Sequence, residues 1–244
     1  MNTLILCEGA TDAILLSYYL IRVGGWSYSK KGPAGMKIKV DPSHQETAEW
    51  YTRGEDRLLI CAVGSKSSFG IFFDRHIAGP LVKSEVESFS RVALLIDRDE
   101  ESEQDITQNI RDALPMIAKH AENNVWVPHE YEGPFRQTKQ LQFLLLIIPC
   151  DRQGALETLL LDAISEDPYD KNIVEQSMAY VDRIAPNADR YIGKRRLILK
   201  AYLGVTWAIQ SPQKVFRFID EQLREVPWET SSVLREIFQK LIEL

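Results

Sequence analysis

Short apolar runs separated by polar turns recur through the first two thirds of this chain. Runs of this kind are typical of strands buried on both faces of a parallel sheet. They predict strands at residues 3–7, 58–63, 91–96, 124–127 and 140–148. Apolar positions at helical spacing predict helices at residues 13–23, 69–82, 102–121 and 155–161, with Gly79-Pro80 interrupting the second and Pro115 kinking or dividing the third. Alternating strands and helices predict an α/β fold with a mostly parallel sheet flanked by helices.

Strand patterns stop after about residue 167. Helical spacing then predicts helices at residues 172–184, 194–210, 212–224 and 231–244. We therefore predict an α/β domain over residues 1–165 and an all-helical C-terminal extension over 166–244 that packs on it. Large aromatic side chains are usually buried, so we expect Trp207, Phe216 and Phe218 to build the core of the helices rather than an exposed interface.

Residues 24–57 break the strand-helix rhythm and read as an insertion rich in Gly, Lys and Ser. Residues 36–40 alternate apolar and basic as a half-exposed strand would, and a helical turn is expected around residues 47–51. Four lysines make the segment basic. They are a solvated face that protects a sheet edge, or alternatively a surface that contacts a phosphate backbone; they are Lys30, Lys31, Lys37 and Lys39.

The net charge, the cysteines and the length of the apolar runs limit the classes of function that the chain could have. A net charge of −6 gives no support for a protein that coats DNA through a basic surface. The three cysteines fit neither a disulfide framework nor a zinc site, which favours a reduced, cytoplasmic location. The chain opens on apolar residues without a basic leader, and its longest apolar run, residues 143–148, is too short to cross a bilayer, so no membrane association is expected.

Acidic residues follow two of the predicted core strands. Glu8 follows the first, and Asp97 and Asp99 follow the strand at 91–96. On an extended backbone, side chains two apart project together, with Arg98 turned aside. If the two strands are parallel neighbours, their carboxyl ends bring these carboxylates together, and the repulsion between them favours a bound Mg²⁺ or Mn²⁺. The plain alternative is a solvated acidic turn, and Glu157 is equally explained by a helix dipole.

Two turns offer contacts for phosphate. Gly9 has no side chain where a phosphate or metal would approach the backbone. Gly64-Ser65-Lys66 follows a core strand, but it lacks the spacer and second glycine of a Walker loop. Its amides would hold an anion, or it is an ordinary strand-to-helix turn. His76 reads as a capping or packing residue.

The acidic motifs together resemble the Toprim fold of topoisomerases, bacterial primases, RecR proteins and OLD (overcoming lysogenisation defect) nucleases. The residues that carry the resemblance are Cys7-Glu8-Gly9 with Asp12, and the run from Leu94 to Asp99. Leu156-Glu157 resembles a further acidic motif of the OLD-type subgroup, and Lys200-Ala201-Tyr202-Leu203 weakly resembles its lysine-bearing segment. The resemblance covers about residues 1 to 205 and implies a Toprim-like, Rossmann-type domain in a small stand-alone relative.

The resemblance implies a metal-dependent phosphodiester site. Glu8, Asp97 and Asp99 would be the primary Mg²⁺ or Mn²⁺ ligands; in the family the glutamate acts as general acid or base, or as a metal ligand. Asp12 and Glu157 would complete a site for one or two metals. Lys200, Arg195 or Arg196 would steady the scissile phosphate. Independently of the resemblance, the two turns described above offer Gly9, Ser65 and Lys66 as phosphate contacts.

Three functions follow as hypotheses. The first is a nuclease that uses Glu8, Asp97, Asp99 and Lys200 in catalysis and acts on DNA rather than RNA. The second is a non-catalytic module that binds Mg²⁺ with a nucleotide or a nucleic-acid end and works with a partner such as an ATPase. The third is a protein that serves association only. A homodimer is compatible with each.

Overall fold

The computed structural model describes residues 1–34, 36, 38–83, 88–133, 135–214, 223–224 and 226–244. The strands in this part of the chain are β1 Asn2–Cys7, β2 Ser27–Ser29, β3 Thr47–Arg53, β4 Asp56–Ala62, β5 Arg91–Asp97, β6 Trp126–Glu132 and β7 Thr138–Ile148. The α-helices are α1 Ala10–Arg22, α2 Phe69–Phe72, α3 Ala78–Lys83, α4 Glu103–Ala113, α5 Leu156–Ile164, α6 Pro168–Ile184, α7 Asp189–Ile192, α8 Arg195–Gln210 and α9 Ser232–Ile242. A π-helical stretch spans Phe73–Ile77, and 3₁₀ turns span Pro42–His44, Lys66–Ser68, Ala185–Asn187 and Pro212–Lys214.

The described strands form a seven-stranded sheet in the order β2-β3-β4-β1-β5-β7-β6. The four central strands are parallel, whereas β2, β3 and β6 add antiparallel edges. The apolar runs form the centre because both of their faces are covered by helices. Cys7 is in register with Leu95, so the predicted parallel pairing of the first strand with the strand at 91–96 is confirmed. The α/β prediction is also confirmed.

Alternate side chains of the central strands pack into two separate hydrophobic cores, one on each face of the sheet. On one face, Ile5 of β1 packs in a cluster with residues of α1, α5, α8 and α9, including Leu15 and Phe238. On the other face, Leu4 belongs to a cluster with the helical segment after β4 and with α4, including Phe69. This three-layer arrangement leaves the carboxyl ends of β4, β1, β5 and β7 at one edge of the fold.

The edge strands differ from the sequence prediction. The helical turn expected at residues 47–51 is wrong, because these residues belong to β3, which pairs with β4 along its length and buries Tyr51. The strand expected at residues 36–40 is also wrong for the residues described there, which form no strand, and Lys37 lies outside them. Met36 is nevertheless buried, and Lys30, Lys31 and Lys39 are exposed.

Several helices also begin or end at residues other than those predicted. Helix α1 begins at Ala10 rather than at residue 13, and its buried stripe includes Leu16 and Leu20 while Ile21 is exposed. Gly79-Pro80 does not interrupt the segment after β4, which runs from α2 through the π-helical stretch into α3. Pro80 is the third residue of α3, in the first turn of a helix, where its missing amide N–H is tolerated. The third predicted helix ends at Ala113, before Pro115, and its predicted continuation to residue 121 is wrong, because residues 114–121 form no helix.

The strand expected at residues 124–127 is β6, which begins at Trp126 and continues to Glu132. The first two residues of the loop predicted at 131–139 therefore belong to this strand, which forms a hairpin with β7. Pro128 is tolerated because β6 is an edge strand, where a missing amide donor need not break the ladder.

The described residues after 167 form helices, as predicted, at Pro168–Ile184, Arg195–Gln210 and Ser232–Ile242. Trp207 is buried, which confirms its core position. Most of the helix predicted at 212–224, with Phe216 and Phe218, lies outside the described residues. The division of the chain at residue 165 stays a prediction. Among the described residues, no helix is long and apolar enough to cross a membrane.

Candidate functional site

Glu8 lies directly after β1 and points toward the neighbouring strand. Its Oε1 accepts a hydrogen bond from the backbone N–H of Asp97, at 3.1 Å, at the end of β5. The side chain is only 8% exposed. The parallel register of β1 and β5 makes this contact, since the two strands end side by side.

Asp97 and Asp99 do not project as an extended pair, so that part of the prediction is wrong. Strand β5 ends at Asp97, and Asp99 has a left-handed backbone with φ of +52°. Asp97 Oδ1 accepts from the N–H of Leu156, at 3.0 Å, at the start of α5. Asp99 is held instead by two backbone hydrogen bonds with Gly154. Arg98 is turned aside, as predicted, and donates to the carbonyl of Cys150 at 3.2 Å.

Asp12 joins the site because α1 begins early. In the first turn of that helix, its Oδ2 accepts from the N–H of Gly9 at 2.8 Å, and the side chain is 8% exposed. A Cβ at Gly9 would meet only Asp12 Oδ2, at 3.5 Å, which is an ordinary contact. The protein's own packing therefore does not require glycine there, and the phosphate contact of Gly9 stays a prediction.

Glu157 is buried in the first turn of α5, with 6% exposure. A helix dipole alone does not require burial, so the plain alternative for this residue explains only part of its placement. Its carboxylate forms an ion pair with the ammonium group of Lys200 from α8. The later half of the chain thus supplies both a carboxylate and its cationic partner to the edge of the sheet.

Lys66 contacts the acidic residues from the opposite side. Its Nζ lies 3.2 Å from Asp99 Oδ2 and 2.7 Å from Glu101 Oε1. Glu101 was not among the predicted site residues. Its place in the acidic run after β5 was a signal, but the contact with a lysine 35 positions earlier was not readable from the sequence. Ser65 bonds to the neighbouring hydroxyls of Ser67 and Ser68 in the same turn.

We call Glu8, Asp12, Asp97, Asp99 and Glu157 the carboxylate cluster. They come from the segments that follow β1, β5 and β7, and they act on one another electrostatically. The positive groups that face them come from the turn after β4 and from α8. Arg196 lines the same cavity as Glu8 and Asp99, whereas Arg195 lies 3.9 Å from Glu100 at the rim.

Burial is the main cause of the raised pKa values in the carboxylate cluster. It raises the pKa of Glu8 to about 7, with Lys66 opposing and Asp12 adding to the rise. Burial likewise raises the pKa of Asp12 to about 6, and the charge of Glu157 contributes. Burial, followed by the charges of Asp12 and Glu8, raises the pKa of Asp97 well above its usual range. Full ionisation of this cluster is therefore costly unless a cation compensates it.

The donor chemistry of the cluster fits a hard divalent ion, because all of its ligand atoms are carboxylate oxygens. Within the described ranges, however, no three His, Cys, Asp or Glu groups converge in an arrangement ready to hold a metal. The carboxylates contact backbone amides or the ammonium groups of Lys66 and Lys200 instead. A divalent ion that bound here would compete with the lysine contacts.

Gly64 fixes the turn that carries Ser65 and Lys66, and we predict that Gly64→Ala destabilises the protein. Its φ is +90°, and an added Cβ would lie 2.1 Å from the carbonyl oxygen of His44. The left-handed backbone and the clash together predict a loss of about 2 kcal/mol in the free energy of unfolding, measured by urea denaturation.

Gly54→Ala is the matched control for this substitution. Gly54 also has a positive φ, +58°, but a Cβ there meets nothing within 4 Å. Gly54→Ala should therefore lower the free energy of unfolding by about 1 kcal/mol, which is the cost of the left-handed backbone without a clash. Equal losses in the two variants would contradict the close approach of His44 to Gly64.

Comparison with known proteins bears on the fold. No family model matches the chain, and no curated protein matches it significantly. The structure is similar to the crystal structure of hypothetical protein PH0156 from Pyrococcus horikoshii OT3, with a TM-score of 0.50 and 14% sequence identity over 99% of each chain. At that identity the likeness shows the fold alone, and it agrees with a Rossmann-like α/β sheet flanked by helices.

Proposed function

We propose that this protein is a Mg²⁺-dependent phosphodiester hydrolase of the Toprim type that acts on nucleic acid, with DNA as the preferred substrate. One observation carries the proposal: the carboxylate cluster is drawn from three separate segments to the carboxyl edge of the central parallel strands. In open α/β sheets, ligands bind at this edge. Three of the five carboxylate residues are buried, although burial of like charges is unfavourable without a cation.

Each residue of the cluster has a role in the proposal. Glu8, Asp97 and Asp99 are the ligands of the divalent ion, with Asp12 and Glu157 completing the site. A divalent ion bound there would activate water and stabilise the charge that develops on the leaving oxygen. Glu8, with a pKa of about 7, is partly protonated at neutral pH and so is suited to give or take a proton.

The cationic residues provide the contacts to substrate. Lys200 and Arg196 on α8 face the cluster, and their charges favour binding of a phosphodiester beside it. Lys66 and Ser65 lie on the other side, in the turn after β4. Arg195 would contact the backbone of the nucleic acid farther out. Because the net charge of the chain is −6, this attraction is local to the site.

The ion pairs of Lys66 and Lys200 favour a second candidate function. They already neutralise part of the cluster, so the same residues would serve a non-catalytic module that binds Mg²⁺ with a nucleotide or a nucleic-acid end. Such a module would act with a partner protein, for example an ATPase. Binding of Mg²⁺ and a nucleotide without any turnover would distinguish it from the hydrolase.

We predict that Asp97→Asn reduces nuclease activity about 100-fold or more, which is the scale of losing one group that stabilises the transition state. Asn retains an oxygen that accepts from Leu156, so the variant should fold. Cleavage of plasmid, single-stranded DNA and RNA is measured with Mg²⁺, with Mn²⁺ and with a chelator.

Asp151→Asn provides the control, since the Asp151 carboxylate is exposed in the loop before α5. It should retain the wild-type rate. Activity that persists in Asp97→Asn, or that survives the chelator, would reject the hydrolase, because it would come from a contaminant or from a different site.

A further inference from the structure

Residues 190–200 form a basic segment in an acidic protein. The segment carries five cationic side chains and no carboxylate, although the whole chain has a net charge of −6. All five residues are exposed: Arg190 in α7, Lys194 between the two helices, and Arg195, Arg196 and Lys200 in α8. We call these five residues the basic strip. A positive surface on a protein of opposite net charge calls for a local explanation.

Most of the charge on the basic strip is not neutralised by the protein. Only the last residue of the strip is closely paired, with Glu157. Arg195 lies 3.9 Å from Glu100, and among the described residues the other three members of the strip form no ion pair. The guanidinium of Arg190 lies 5.5 Å from the centre of the Tyr191 ring, a contact that leaves its charge in place. The strip therefore presents positive charge to the solvent.

The start of α8 is an unfavourable place for these cations. Lys194 precedes the first turn and its side chain makes no capping hydrogen bond, and Arg195 and Arg196 then open a first turn that contains no acidic residue. A helix N-terminus carries partial positive charge, so cations there oppose helix formation. By contrast, α4, α6 and α9 each begin after a Ser or Asp whose side chain accepts a hydrogen bond from the first turn. The stability of α8 therefore does not explain the basic strip.

One end of the strip meets the carboxylate cluster, because Arg196 lines the same cavity as Glu8 and because Lys200 pairs with a member of the cluster. The other end lies outside it, since Arg190 and Lys194 line neither of the cavities beside the cluster. Lys194 precedes Lys200 by six residues, which span about 9 Å along a helix. Successive phosphates of one strand rise about 3.4 Å along a duplex, so this length corresponds to about three nucleotides.

We propose that Arg190 and Lys194 belong to a docking surface that holds the phosphate backbone of a nucleic acid outside the carboxylate cluster, about three nucleotides from the bond that is cut. A row of exposed, unpaired cations suits the regularly spaced charges of such a backbone. An anionic lipid surface would match the charge alone, but the continuity of the basic strip with the carboxylate cluster favours a polymer that is also the substrate. The inference rests on the proposed function for the identity of that polymer.

The double variant Arg190→Gln/Lys194→Ser tests the docking surface. Both residues are exposed, and a serine before the first turn of α8 supplies a capping side chain, so the variant should fold with a Tm about 3 °C higher than wild type. Lys119→Ser/Lys171→Gln is the control, because it removes the same charge from two exposed residues elsewhere on the protein. A higher Tm together with weaker binding is a combination that a purely structural role of the two residues would not give.

Binding of a single-stranded DNA of about 20 nucleotides is measured by fluorescence anisotropy between about 50 and 200 mM salt, with a chelator present. We expect the double variant to bind about tenfold more weakly than wild type at about 0.1 M salt. Its plot of log affinity against log salt concentration should be shallower by about 1.4, since each phosphate contact with a single strand contributes about 0.7 to the slope. The control should keep the wild-type slope and an affinity within about twofold of wild type.

Wild-type affinity and slope in the double variant would overturn the docking surface, and so would an equal loss in the control. The protein is also tested against phosphatidylserine vesicles. Binding to these vesicles that is tighter than binding to the DNA, and that is lost in the double variant, would overturn the nucleic-acid assignment in favour of a lipid surface.

The docking surface and the hydrolase fail in different ways. If both are right, the double variant should raise KM for DNA cleavage about tenfold and leave kcat unchanged, because the outer end of the basic strip does not touch the reacting atoms. If the binding pattern holds but no metal-dependent cleavage is seen, the hydrolase is wrong and the docking surface stands. If cleavage depends on Asp97 but the double variant keeps the wild-type affinity and KM, the hydrolase stands and the docking surface is wrong.

Discussion

Glu8→Gln is expected to make the protein more stable at pH 8 while it removes metal-dependent cleavage. The carboxylate is buried, and its pKa is raised from 4.5 to about 7. Each unit of that shift corresponds to about 1.4 kcal/mol of unfavourable ionisation in the folded state. The neutral amide avoids this cost and still accepts from the N–H of Asp97. The shift already includes the attraction to Lys66, so we expect a gain of about 3 kcal/mol in the free energy of unfolding, measured by urea denaturation.

The same substitution should lower the cleavage rate about 100-fold or more, because it removes a ligand and a proton-transfer group together. A gain in stability with a loss of activity is the combination expected of a residue retained for function at a cost to the fold. Glu130→Gln is the control: Glu130 lies exposed on the edge strand β6, and its substitution should change neither property. Lower stability of Glu8→Gln than of wild type at pH 8 would show that Glu8 is not an uncompensated buried charge.

The meeting of Glu8 with β5 was predictable from the sequence. Two uninterrupted apolar runs end in acidic residues, and neighbouring parallel strands end at the same edge. The rest of the cluster depends on contacts that local patterns do not encode. The sequence places Asp12 before the predicted helix because Gly9 gives only a weak helix-start signal, whereas α1 begins at Ala10. Asp99 takes its position from backbone bonds to Gly154, which is distant in sequence.

Contacts between residues distant in sequence also explain where the observed fold differs from the predicted one. Residues 47–51 carry no strong preference between helix and strand, and they form β3 because β4 offers an unpaired edge beside them. The burial of Glu157 depends on Lys200, 43 residues later in the chain. Sequence patterns thus identified which residue types reach the site, but the pairing of Glu157 with Lys200 follows only from the packing of α8 against α5.

Without divalent ions, the stability of the protein is expected to fall by about 3 kcal/mol as the pH rises from 5 to 8. Glu8 and Asp12 have pKa values of about 7 and about 6 in the folded state, against 4.5 and 3.8 for the unperturbed groups. Between these limits the folded chain holds protons that the unfolded chain has released. Stability therefore decreases with rising pH through this window, which is opposite to the behaviour of carboxylates in favourable ion pairs. The two shifts are coupled, so their costs do not add in full.

Urea denaturation at pH 5, 6, 7 and 8 measures this slope, first with a chelator and then with millimolar Mg²⁺. Because an ion bound to the folded state adds stability, Mg²⁺ should restore much of the loss at pH 8 and have little effect at pH 5, where the cluster is protonated. In Glu8→Gln the slope should be shallower and the response to Mg²⁺ smaller. A wild-type stability that rises steadily from pH 5 to 8 would mean that the cluster is already fully compensated by Lys66 and Lys200, and the physical reason for a divalent ion at this site would then be lost.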